Sequence, residues 1–100
     1  MARLDVRRLK QVRGVALALE MQAELLTDID TVVVAPIMPV SRLPPIAEVN
    51  PVIEIDGQKL AVRLEQLISI PRIRLGDTVT NLVEHEYRIM RALDRLLSRT

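Results

Sequence analysis

The sequence predicts a mainly β domain closed by one C-terminal α-helix. Three observations predict it: an Asp56-Gly57 pair between two alternating runs, a β-branched run at Val32-Val33-Val34, and an apolar stripe at helical spacing between Leu82 and Leu97. The 100 residues are expected to form one domain, with strands over about 1–76 and the helix over about 81–98.

The elements follow in order. The first third is ambiguous, because its Leu, Ala, Arg, Glu and Met favour helix. Its periodicity favours strand: Val15, Leu17, Leu19 and Met21 alternate with Ala16, Ala18, Glu20 and Gln22. Pattern alone prefers a hairpin of Leu4–Lys10 and Val15–Glu24, turning at Gly14. Val32 to Val34 reads as a buried strand. Pro36, Pro39, Pro44 and Pro45 then make residues 36–51 an irregular connection.

The strongest local signal is Val52-Ile53-Glu54-Ile55, Asp56-Gly57, then Gln58-Lys59-Leu60-Ala61-Val62. Asp-Gly supplies the positive φ angles of a tight hairpin. Ile53 and Ile55 share a face with Leu60 and Val62, leaving Glu54 near Lys59 on the other. Ile70 to Leu75 alternates as a further strand, with Pro71 at its start or on an edge. Gly76-Asp77 closes the strand region. Asn81 with Glu84 is a variant capping box, and Leu82, Val83, Ile89, Met90, Leu93, Leu96 and Leu97 form the helical stripe.

Composition excludes several function classes. Tyr87 is the only aromatic residue, which speaks against holding unpaired bases by stacking. With no Cys there is no disulfide or thiolate chemistry, and the lone His85 cannot supply the imidazoles of a catalytic zinc. No cofactor, no metal and no catalytic residue is expected, and the chain reads as a non-enzymatic binding protein. Neither a signal peptide nor a membrane span is visible, so the expected location is cytoplasmic. The net charge of +1 hides two basic ends, +4 over residues 1–14 and +3 over 88–100, around a −6 middle. Arg88, Arg91, Arg95 and Arg99 line one helix face, either as solvated charge or as a site for acidic segments or phosphates. His85 between Glu84 and Glu86 reads as a surface histidine beside carboxylates that favour a helix N-terminus.

From about Ala18 to Leu97 the chain resembles the CcdB family of toxins from plasmid-borne toxin–antitoxin pairs. The resemblance lies in Glu20-Met21-Gln22-Ala23-Glu24-Leu25-Leu26, Val34-Ala35-Pro36-Ile37, Arg42-Leu43 and Asn50-Pro51-Val52-Ile53-Glu54-Ile55. Ser69-Ile70-Pro71, Gly76, Val79, Leu82, Glu86, Ile89 and Ala92 follow at matching spacing. No one of these is specific; their order over the chain carries the likeness.

That resemblance implies strands at the N-terminus and an SH3-like β-barrel of the CcdB/MazF/Kid type, assembled as a homodimer. It implies a toxin that binds the A subunit of DNA gyrase and traps the gyrase–DNA cleavage complex. A CcdA-like antitoxin would neutralise it, and operator DNA would be met only through the toxin–antitoxin complex, with no membrane involved. The implied gyrase-binding residues are Leu25, Leu26, Asp94, Leu97, Ser98, Arg99 and Thr100, while the antitoxin-binding residues stay unassigned. The family's Trp-Gly-Ile end is replaced here by Ser98-Arg99-Thr100, which removes an aromatic anchor. Two alternatives stand beside this reading. One is a diverged, non-poisoning relative that dimerises and binds antitoxin only. The other is an endoribonuclease of the MazF and Kid kind, for which the sequence offers only generic arginines.

Overall fold

The computed structural model describes residues 3–21 and 29–98. It is a mainly β half-barrel with one C-terminal helix, the fold class expected. The strands are β1 (Asp5–Leu9), β2 (Leu17–Glu20), β3 (Thr31–Pro39), β4 (Val52–Ile55), β5 (Gln58–Val62), β6 (Ile68–Pro71) and β7 (Leu75–Asn81), and the helix is α1 (Glu86–Leu97). They pair antiparallel in the order β4-β5-β3-β2-β1-β7, with β6 also on β3.

The N-terminal ambiguity resolves as strand. Leu19 and Ala18 are both fully buried but join different apolar clusters on opposite faces of the sheet. A strand covered on both faces explains why its composition looked helical: small and aliphatic residues suit either environment. The larger cluster holds Leu4, Val6, Leu19, Ile37, Val62 and Leu64, and is closed by Ile89 and Ala92 of α1. Each large aliphatic side chain so buried contributes about 1.5–3 kcal/mol.

The hairpin of β4 and β5 follows the alternation. Ile53 faces Leu60, and Glu54 faces Lys59. Asp56 and Gly57 take φ of 52° and 79°, so both central residues are left-handed, as a type I′ turn requires.

Four expectations need correction. Residues 36–51 are not wholly irregular, because β3 runs through Pro36 to Pro39. The N–H and C=O of a strand residue point the same way, and the Pro36 carbonyl accepts from Arg63 N at 2.8 Å. The missing Pro36 donor therefore falls at the seam where β6 pairing ends at Val34 and β5 pairing begins at Ile37. Pro39 lies beyond the end of β2, which stops pairing at Ile37.

The strand expected over Ile70–Leu75 is two strands around a 3-10 turn at Arg72–Arg74. Arg72 fixes that turn, donating through N to Asp30 O at 2.7 Å and through Nε to Ile29 O at 3.0 Å. Gly76-Asp77 does not close the strand region but lies inside β7. A Cβ on Gly76 would sit 3.0 Å from the Arg8 carbonyl, so this glycine permits a close approach beside the irregular β1–β7 register.

The helix begins at Glu86, not near 81. Asn81 ends β7, where its Nδ2 donates to Asp5 Oδ1 at 2.8 Å and its Oδ1 accepts from Val83 N at 2.8 Å. That second bond holds the first N–H of a 3-10 turn over Val83–His85, whose cap position is Leu82, and the turn leads into α1. Within the stripe, Leu82 and Ile89 are buried, but Val83 and Leu97 face solvent.

Candidate functional site: an arginine groove beside the C-terminal helix

On α1, Arg88, Ala92 and Arg95 fall at helical spacing along one face, with Arg91 beside them. The segment Glu48–Val52 runs opposite, leaving an open groove of about 680 Å³ between them. Ala92 is small and forms part of the wall between two long arginines, which keeps the groove open.

The opposite wall is held by a buried arginine that sequence reasoning missed. Arg63, just after β5, is fully buried, and its Nη2 donates to the carbonyls of Leu43 at 2.6 Å and Pro44 at 3.1 Å. Its Nη1 donates to Asn50 Oδ1, which also accepts from Ile46 N at 2.8 Å. Asn50 Nδ2 donates onward to Val62 O at 3.1 Å. The proline-rich connection is thus tied to β5 by side chains. A planar fork suits this role, because it reaches several carbonyls at once.

Three guanidiniums face one carboxylate in the groove. Arg95 pairs with Glu48, both ends more than half exposed at 52% and 63%, so this is a weak solvated contact. Arg88 Nη2 donates to Val52 O at 2.7 Å, and its Nη1 lies 3.2 Å from His85 Nδ1. Guanidinium nitrogens have no lone pair to offer, so in this contact His85 Nδ1 is the acceptor. Arg91 Nη1 donates to the Tyr87 hydroxyl at 3.1 Å, with its Cζ 5.7 Å from the ring centroid. The Tyr87 phenol, chiefly through that hydrogen bond, raises the Arg91 pKa further above its already high value.

The residues that resemblance assigned to a binding tip are spread differently. Asp94 and Ser98 border a shallow recess with Arg91 and Arg95, and Leu97 is 70% exposed. Leu25, Leu26, Arg99 and Thr100 lie outside the described residues. Sequence reasoning also missed Glu48, Asn50 and Tyr87 as groove residues. The spacing of Tyr87 and Arg91, four apart on a helix, is the one local signal that pointed there. Among the described residues no group of three or more His, Cys, Asp or Glu side chains could hold a metal ion, and no helix is long and apolar enough to cross a membrane.

A family model described as CcdB protein matches residues 3–98. The chain belongs to the CcdB family. No curated protein matches it. Among solved structures, the Mycobacterium tuberculosis toxin MazF-mt6 superposes with a TM-score of 0.80 at 17% identity, covering 96% of this chain and 98% of that one. An endoribonuclease in complex with its cognate antitoxin, from a mycobacterial species, superposes at 0.81 and 13% identity, covering 100% of this chain and 97% of that one.

These matches correct the resemblance to the gyrase-inhibiting toxins and the function drawn from it. This CcdB-family chain shares its whole fold with a MazF toxin and an endoribonuclease. The expectation of a protein without catalysis falls with it, since that fold carries an RNA-cutting enzyme. The A subunit of DNA gyrase is withdrawn as a partner, and the assignment of Leu25, Leu26, Asp94, Leu97, Ser98, Arg99 and Thr100 to gyrase binding lapses.

Proposed function

We propose that this chain is the toxin of a type II toxin–antitoxin module, a cytoplasmic endoribonuclease restrained by a cognate antitoxin. The observation that carries the reading is the groove itself: three arginines converge on an open cleft whose lining includes one carboxylate. The fold shared with an endoribonuclease supports it, and the absence of cysteine suits a reducing compartment.

RNA carries its own nucleophile, and the chemistry needs few protein groups. The 2′-oxygen attacks the adjacent phosphorus, the P–O5′ bond breaks, and charge grows on the phosphate oxygens. Arg95, which pairs with Glu48 in the empty groove, holds that charge. Glu48, freed from Arg95 by the incoming phosphate, takes the 2′-hydroxyl proton. Water gives a proton to the leaving 5′-oxygen, and Glu48 returns its own to solvent. The products are a 2′,3′-cyclic phosphate and a 5′-hydroxyl, which balances atoms and protons.

Incubating the purified chain with single-stranded RNA tests this. Discrete fragments, absent with Glu48→Gln, are the expected result. RNA left intact by a folded protein overturns the reading.

A further inference from the structure

Tyr87 is the only aromatic side chain in 100 residues, and it stands on the wall of the arginine groove rather than in the core. The residue is 71% exposed. A large apolar ring kept in water costs burial that the core could have used, and nothing in the packing of α1 requires it there. One neighbour orients it: Arg91 bonds its hydroxyl and lies within cation–π range of the ring. A tyrosine held in this way offers a flat surface in the same groove as Arg88 and Arg95.

We infer that Tyr87 is a stacking platform for one unpaired base of a single-stranded RNA, whose flanking phosphates lie on Arg88 and Arg95. The choice of RNA rests on the nuclease reading above. Single-strand binders commonly combine a cationic track with an aromatic face. In a duplex the base faces are covered by their neighbours, so this groove selects unpaired RNA. An acidic peptide would also satisfy the arginines, but it offers no flat ring to Tyr87. The sequence's poverty in aromatics therefore does not argue against stacking; it confines stacking to one position.

The same poverty makes the site self-reporting. Without tryptophan, and with one tyrosine, all intrinsic fluorescence comes from Tyr87. The test titrates the full chain with a 2′-O-methyl RNA oligonucleotide, which cannot be cleaved, with its base-paired duplex, and with poly-glutamate. The single strand is expected to quench Tyr87 strongly, and the duplex and the polypeptide only weakly. By anisotropy of a labelled single strand, Tyr87→Ala should weaken binding about 5- to 150-fold. Tyr87→Trp should restore it, which a merely structural role would not give. Equal quenching by poly-glutamate identifies an acidic-peptide groove and overturns the inference, as does unchanged binding by Tyr87→Ala. Base-dependent binding of RNA that the chain never cuts leaves this inference standing and removes the nuclease. Cleavage with full binding in Tyr87→Ala does the reverse.

Discussion

Arg63, fully buried just after β5, donates through Nη1 to Asn50 Oδ1 at 2.5 Å and thereby fixes one wall of the groove to the barrel. Truncation leaves the carbonyls of Leu43 and Pro44 without their Arg63 donor, and Asn50 Oδ1 with Ile46 N alone. Arg63→Ala should cost about 3–5 kcal/mol, read as a lowered urea midpoint. Arg63→Lys should recover little, because an ammonium cannot fork across the same acceptors. A midpoint unchanged by Arg63→Ala would mean the connection is anchored elsewhere.

Arg7 and Glu20 form a second internal pair, at 2.8 Å with side chains 11% and 5% exposed. Arg7 also donates through Nε to the Gly76 carbonyl at 2.8 Å, linking β1 to both its neighbours. Removing one partner alone, as in Arg7→Met, should destabilise by about 3–5 kcal/mol, whereas Arg7→Met with Glu20→Leu should lie close to the parent. Thermal unfolding of the two single variants and the double variant closes this cycle. Additive losses would show that the two groups do not depend on each other.

The turn glycine and the contact glycine should respond differently to substitution. Gly57 has φ of 79° and open space where a Cβ would stand, so Gly57→Val is expected to cost about 1–2 kcal/mol from backbone alone. Gly76→Ala meets the Arg8 carbonyl at 3.0 Å, so its cost arises from contact and should fall on the β1–β7 edge. Hydrogen exchange separates the two: the Gly57 variant should not selectively loosen β1 and β7.

These elements also show how far local sequence reaches. The β4–β5 hairpin was legible because its register depends on two turn residues and a local alternation. The helix was legible for the same reason, through its own periodicity. The path of β3 through Pro36 was not, since a proline is tolerated there only because two other strands meet beside it. Arg63 was not legible either: its partners lie in a connection 13 to 20 residues away, and nothing local marks an arginine as internal. The site suffered most. Arg88, Arg91 and Arg95 were visible as a stripe, but the opposing Glu48–Val52 wall comes from a connection whose course no local pattern reveals.

Phosphate binding in the groove should be visible as salt dependence. Each arginine that releases a counterion from single-stranded RNA contributes about 0.7 to the slope of log K against log salt, so three arginines give a slope of roughly −2. Arg88→Gln and Arg95→Gln should each make the slope shallower by about 0.7. An unchanged slope in both variants would place the RNA elsewhere on the molecule.

Proton transfer should separate from binding. Glu48→Gln is expected to slow cleavage by about 10²–10⁴-fold while RNA affinity, measured with an uncleavable strand, stays within a few-fold of the parent. A parallel fall in both would make Glu48 a support for Arg95 rather than a proton acceptor.

The most direct measurement is the chemistry of the cut ends. The purified chain is incubated with a single-stranded RNA of known sequence, and the fragments are analysed by mass spectrometry. A 2′,3′-cyclic phosphate on each upstream fragment and a 5′-hydroxyl on each downstream one are expected, both lost with Glu48→Gln. Uncut RNA, or cuts that persist unchanged in Glu48→Gln, would contradict the nuclease reading.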